Sequence, residues 1–249
     1  MKAMEKPPGA AGAVVARDHA LHPPPLWPPY RSTALRGPRR PLVPVTQSPT
    51  EARGPAFGHD AVSPADADLL TNFAADGQSA IGERIVVSGT LRDGDGHPIP
   101  GALIEIWQAN AGGHYRHARD GYLAPLDPNF GGCGRVLTGP DGRYAFRTVR
   151  PGPYPWPNGP NDWRPAHVHL SVFGTAFAQR LITQFYFEGD PHIPLCPILG
   201  GVRDPGAVDR LTARMDRAAT IPFDAVAWRF DITLRGRRQT PFETAVEGM

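Results

Sequence analysis

Two histidines stand two residues apart in RPAHVHL, residues 164 to 170. On a strand, His167 and His169 leave the same face with Cα atoms roughly 6.5–7 Å apart. Two imidazoles so spaced can meet one metal ion; they can equally be two hydrogen-bonded polar residues, and the spacing alone does not choose. Tyr154, in GPYPWPNGPNDW, residues 152 to 163, has a proline on each side. The prolines fix its backbone and lower the entropy cost of holding the phenol in place, although the same loop could serve as a hydrophobic lid of Tyr and Trp. Tyr115 lies in GGHYRH, residues 112 to 117, after an apolar run that ends at Trp107. A tyrosine in a Gly-rich loop can reach inward or sit half exposed. Arg164 begins the histidine segment, and a salt bridge to Asp162 would account for it as well as a role in a site would.

Strands must carry these residues. Pro at 30 and Gly at 28 in 249 residues exclude a helix bundle. From residue 83 the chain reads as strand, turn, strand: ERIVVSGTLRD, a Gly and Asp-rich turn, then ALIEIWQ. GPDGRYAFRTV repeats the scheme around a DG turn, with Tyr144, Phe146 and Thr148 alternating. AHVHLSVFG, RLITQFYFEG and AWRFDITLRG add three more. The expected fold is mainly β, an antiparallel β-sandwich with an extended N-terminal arm and few short helices. The arm and a short helix would occupy residues 1–79 and the sandwich 80–242. HPPPLWPPY, residues 22 to 30, reads as a polyproline-like arm; with Trp27 and Tyr30 it should lie across a surface, its own or a partner's. SPADADLLTNF, with Ser63 as N-cap and Pro64 in the first turn, predicts a short helix. DPGAVDRLTARMDRAA predicts a longer one over 204–219, with Val208, Leu211 and Met215 on one stripe.

Composition narrows the function. With 41% hydrophobic and 20% charged residues and a net charge of +2, the chain has no basic run beyond Arg36 to Arg40 and Arg235 to Arg238, and charge makes no case for nucleic acid. No window approaches a membrane span. The apolar patch near the N-terminus is ended by Arg17 and Asp18, too weak for a signal peptide. Cys133 and Cys196 make no disulfide framework. Both read as buried small-residue packing, and a reduced, cytoplasmic setting is expected.

The motifs WQANAGG, YLAPLDPNFGG, FRTVRPGPYPW, NGPNDWRPAHVH, LITQFYFEGDP and RFDITLRG, taken together, resemble the intradiol ring-cleavage dioxygenases. The resemblance runs from about Tyr30 to Phe242, and the first sixty residues match only in patches. It implies a non-haem Fe(III) centre with Tyr115, Tyr154, His167 and His169 as metal ligands. It also implies a catalytic part for Tyr154, the axial ligand that leaves while Tyr115 stays. Arg164 and Gln184 would stabilise and orient the substrate, and Tyr30 would line its pocket. The implied reaction is cleavage of a dihydroxybenzoate by O2 between its two hydroxylated carbons, giving a muconate. The implied partner is a homologous chain that lacks the iron ligands, assembling with this one into larger hetero-oligomers.

The ligand chemistry agrees. Two phenolates are hard anionic donors that favour Fe(III) over Fe(II), and imidazole suits iron. A bound phenol loses its proton well below the ordinary pKa near 10. One departure lies beside a ligand: His114 stands where the family carries an arginine, which would alter loop packing or pocket charge. His114 and His117 could form a weak second metal pair or be exposed loop residues. Tyr144, Tyr186 and Tyr122 read as packing; His19, His22, His59, His97 and His192 have no partner at ligand spacing; Asp162 and Glu188 read as turn caps. Two rivals remain, an intradiol dioxygenase for catechol or hydroxyquinol, and a non-catalytic β-sandwich binding module.

Overall fold

A computed structural model describes residues 22–37, 59–160, 162–173, 180–234 and 239–241. The patch before Arg17, His19 and most of the two basic runs lie outside the described residues.

The alternation in ERIVVSGTLR makes β1, Arg84–Arg92, in which Ile85, Val87 and Leu91 point into the core. The strands β2 (Leu103–Gln108), β3 (Cys133–Leu137) and β4 (Arg143–Val149) follow. A two-residue ladder joins β5 (Tyr154–Pro155) to β6 (Trp163–Arg164). After it come β7 (His167–Phe173), β8 (Arg180–Phe187), β9 (Thr212–Met215), β10 (Val226–Arg229) and β11 (Ile232–Thr233). Nine strands bond in the order β11-β1-β10-β9-β8-β7-β2-β3, with β4 on the other side of β1. They enclose one apolar core. Ile85, Val87 and Phe146 meet Ile104, Val168, Leu170 and Phe185 there, and Phe187 of β8 packs edge-on against Trp228 of β10, with ring centroids 5.0 Å apart.

The mainly β sandwich expected from the strand pattern is present, but its pairing is mixed. β1 runs parallel to β10 and β11, and β8 runs parallel to β9. Parallel neighbours need long crossovers, and the stretch from Glu188 to Leu211 supplies one.

The helix expected over 204–219 is corrected. Asp204 caps a single turn, α2 (Pro205–Asp209), by accepting from the Gly206 amide at 2.9 Å, and the chain then extends as β9. The stripe that suggested a helix divides: Val208 and Leu211 pack into a second cluster, while Met215 is exposed. Hydrogen bonds to β8 and β10 outweigh the local period. The helix expected after Ser63 is a 3-10 turn over Pro64–Ala67, with the Ser63 amide donating to Asp66 at 2.8 Å. It ends where Leu69 and Leu70 enter the core. The shared packing reading of the cysteines also divides. Cys196 is buried, but Cys133 is exposed, at the first position of β3, a strand bonded on one side to β2.

The described part of the arm lies on its own chain. Trp27 Nε1 donates to the Pro197 carbonyl at 2.9 Å, and Asn158 Nδ2 donates to that of Pro29 at 2.7 Å. One short helix, α1 (Ser32–Arg36), follows Tyr30 and stands before α2 in the chain.

Gly89 sets the passage between β10 and β11. The Phe230 amide donates to Ser88 and the Thr90 amide to Asp231, so the chain steps across β1 at Gly89. A Cβ there would stand 1.7 Å from the Phe230 carbonyl oxygen, which also accepts from Tyr144 Oη at 2.5 Å. The obstacle is hydrogen-bonded backbone and cannot rotate away. Gly89→Ala should therefore cost about 3 kcal/mol or more, measured as a fall in the urea midpoint; wild-type stability would show that the crossing yields.

Candidate metal and substrate site

β7 is buried on both faces. Val168, Leu170 and Val172 fill the core, so His167 and His169 point from the opposite face, only 2% and 8% exposed. Register sets their neighbours, because residues opposite one another in adjacent strands share a face. Trp107 of β2 and Gln184 of β8 flank His169, and Tyr186 of β8 stands beside His167. The Trp107 and His169 rings are parallel, 4.9 Å apart.

Two loops bring the phenols to this face. Asn110 ties the first: its side chain accepts from the Gly112 and His114 amides at 2.9 and 3.0 Å and donates to Pro125 at 2.9 Å. The Tyr115 amide donates to Asp120 at 2.8 Å. The second loop crosses the first backbone to backbone. Gly113, at φ +84°, has no room for a Cβ, which would lie 2.5 Å from the Pro153 carbonyl oxygen; one on Gly152 would lie 2.5 Å from that of Ala111. Only glycines allow this approach. It sets the Tyr115 and Tyr154 rings edge to face at 5.6 Å.

Four sequence-predicted donors thus converge. Tyr115 Oη lies 3.2 Å from His167 Nε2 and 3.1 Å from His169 Nε2. The Tyr154 ring is 5.6 Å from that of His167, and the two imidazoles are 4.8 Å apart. Burial, then the Arg164 cation and His169, hold His167 well below the usual histidine range, so its ring is neutral. Its Nδ1–H donates to the Pro165 carbonyl at 2.7 Å, which leaves the Nε2 lone pair facing Tyr115. Phenol oxygens and imidazole nitrogens so gathered fit one hard metal ion.

Arg164 is buried and stays charged. Burial opposes its charge, but the acidic groups of Tyr186, Tyr154, Cys196 and Tyr115 outweigh it and hold its pKa above the ordinary arginine value. Nη2 donates to Gln184 Oε1 at 2.6 Å, and the guanidinium lies over Trp156 at 5.5 Å. Its Nε has no hydrogen-bond partner among the described residues. Asp162 does not pair with it; that carboxylate accepts from Asn158 at 2.7 Å.

Above the donors is an open cavity of about 1030 Å³, lined by Tyr115, Tyr154, Trp107, Tyr122, Trp156 and Trp163 among others. Tyr30 of the arm stands behind Trp156, ring centroids 5.0 Å apart. His114 takes no part; its Nδ1 is 2.5 Å from the Ala124 carbonyl. His117 Nδ1 accepts from the Arg119 amide. A further cluster, Asp93, Asp95 and His97, lies in the turn after β1, where Asp93 caps the turn. Sequence reasoning missed the Trp107 stack, Asp120 and the Tyr186 neighbour. The first and last follow from strand parity once the register is known; Asp120 carries no signal of its own.

The family described as Dioxygenase matches residues 52–236, and that described as Protocatechuate 3,4-dioxygenase beta subunit N terminal matches 15–48. The protocatechuate 3,4-dioxygenase beta chain of Burkholderia cepacia is 46% identical over 227 residues, 91% of this chain and 96% of that one. The alpha chain from Pseudomonas putida is 30% identical, covering 66% of this chain and 77% of its own. Among solved structures, 3-chlorocatechol 1,2-dioxygenase from Rhodococcus opacus shares the fold, with a TM-score of 0.51 at 24% identity over 69% of this chain and 65% of that one. With the dioxygenase family matching most of its length and a relative nearly half identical to it, the chain belongs to the intradiol dioxygenase family, alongside the protocatechuate 3,4-dioxygenase beta chains.

Proposed function

We propose that this chain is the iron-bearing chain of a protocatechuate 3,4-dioxygenase, which opens 3,4-dihydroxybenzoate with O2 to 3-carboxy-cis,cis-muconate. The observation that carries the reading is the Tyr115 hydroxyl set 3.2 Å and 3.1 Å from two buried imidazole nitrogens, with the Tyr154 ring against it. The name and near full-length match of the Burkholderia cepacia relative support the substrate. The alpha-chain relative supports a homologous alpha chain as partner.

Tyr115, Tyr154, His167 and His169 would hold the metal. A ferric ion bound there supplies a Lewis acid that draws electron density from a catechol ring. Each remaining step belongs to a side chain of this protein. The Tyr154 phenolate takes a proton from one incoming catechol hydroxyl, so that oxygen becomes anionic as the tyrosine becomes neutral, and the exchange itself adds no charge to a buried pocket. Tyr115, braced by Asp120 and both histidines, keeps its place. Arg164, a fixed cation with an unsatisfied Nε, stabilises negative charge that grows on the substrate as O2 adds. Gln184 holds the guanidinium from behind. Trp156, between Tyr30 and Arg164, excludes water.

The purified protein, with its partner chain, should be reddish-brown from phenolate-to-iron charge transfer and carry about one ferric ion per chain. Oxygen uptake should be fastest with protocatechuate among protocatechuate, catechol and hydroxyquinol. Zinc as the sole metal of active protein would overturn the metal, and a faster rate with catechol or hydroxyquinol would overturn the substrate.

The two tyrosines should respond differently. Tyr154→Phe should keep iron and slow substrate binding; Tyr115→Phe should lose iron more readily and change the visible band. Equal effects on both readouts would contradict the roles. Arg164→Ala should lower turnover by about 10²–10³-fold, and Arg164→Lys should restore only part, lacking the planar fork. Near wild-type turnover of Arg164→Ala with iron retained would make Arg164 structural.

A further inference from the structure

The Pro165–Ala166 peptide holds a buried carboxylate at one end and a metal-site histidine at the other. Its carbonyl accepts from His167 Nδ1 at 2.7 Å, and its N–H donates to Asp190 Oδ2 at 2.9 Å. Asp190 is 8% exposed and Ala166 2%, so this hydrogen bond is largely sheltered from water. Pro165 has no N–H to offer, which makes the Ala166 amide the one backbone donor at this step before β7. The carboxylate is itself held. Its Oδ1 accepts from the His192 amide and lies 2.9 Å from His192 Nδ1, and Gly189, at φ +80°, makes the turn that brings it back from the end of β8.

We propose that Asp190 is a positioning residue for His167, acting through the planar Pro165–Ala166 peptide. The peptide is rigid, so fixing its N–H fixes the direction of its carbonyl and therefore the plane of the imidazole. A carboxylate on the N–H also polarises the amide and strengthens the carbonyl as an acceptor. The chain of contacts runs from carboxylate to peptide to imidazole, with Nε2 at its end. It performs the task that a carboxylate bonded directly to a metal-site histidine performs elsewhere, with one peptide interposed. The same segment begins with Trp163 and Arg164, paired to Pro155 and Tyr154, and the His192 ring stacks on Trp163 at 6.2 Å. Asp190 therefore meets this segment at the His167 end through a hydrogen bond, while the His192 ring only lies against Trp163 at the other.

The inference rests on the reading of His167 as an iron ligand, and the experiment separates the two. Wild-type, Asp190→Asn and His192→Gln proteins are expressed full length with the partner chain. Iron release to a ferric chelator, the visible charge-transfer band and turnover are then measured on folded protein. Asp190→Asn keeps the shape and loses the charge; it should release iron about 10–100-fold faster, with a shifted band. His192→Gln keeps the Asp190 contact to Ala166 and should release iron at close to the wild-type rate. If wild-type protein holds no iron, the ligand reading itself fails. If wild-type holds iron and Asp190→Asn matches it in release rate and band, or if His192→Gln changes both as much as Asp190→Asn does, the relay through the peptide is overturned. Should Asp190→Asn not fold, Asp190→Ser, also neutral, is read against the same two outcomes.

Discussion

Residues two apart on a strand share a face, and the rest of the site depends on that constraint at β7. Val168, Leu170 and Val172 commit one face to the core, which forces His167 and His169 onto the other. A one-residue slip would exchange the two sets, placing imidazoles among Phe185 and Phe187 and valines against the phenols. The fully buried core face thus sets the register of the histidine face. The neighbouring strands extend this order sideways, so that Trp107, Gln184 and Tyr186 occupy the same surface without any local sequence signal.

Keeping a cation in this surface is costly, and the surroundings show how the cost is met. Arg164 is as buried as the core around it. Water is replaced by the Gln184 carbonyl oxygen, the face of Trp156 and the acidic groups of Tyr186, Tyr154, Cys196 and Tyr115. The tyrosines around it favour the positive charge. Arg164 also helps keep His167 neutral, the state in which a nitrogen lone pair is available. The cation and the donors therefore support one another electrostatically, in a region of low dielectric where such effects are strong.

Much of this was legible in the sequence, for physical reasons that differ by element. The HxH pair needed only strand parity. The proline-flanked Tyr154 announced a rigid loop, and the DG turn before β4 was read from Asp141 and Gly142, whose φ of +73° suits glycine. The stretch 204–219 misled because Val208, Leu211 and Met215 mimic a helical stripe, while the partners that extend Thr212–Met215 lie on β8 and β10, distant in sequence. Cys133 misled because an edge position is a property of sheet order and not of local pattern. Asp190 was invisible for the same reason: its partner Ala166 is 24 residues away.

The two phenols also differ in how they are held, and the difference bears on their proposed roles. Tyr115 follows a loop tied by Asn110, has its own amide bound to Asp120, and is followed by Arg116, which bonds to the carbonyls of Phe130 and Asp127. Tyr154 sits on a two-residue ladder whose other strand is Trp163–Arg164. The flanking prolines and the ladder fix the Tyr154 backbone, so in the proposed reaction the departure of this phenol is a rotation of its side chain, whereas the several bonds around Tyr115 suit a tyrosine that stays. The backbone crossing at Gly113 and Gly152 limits how far the Tyr154 loop can travel, so its phenol can swing while its Cα stays near the site. Under the proposed roles, this arrangement would let one side chain act in turn as donor and as base without the strand of histidines moving.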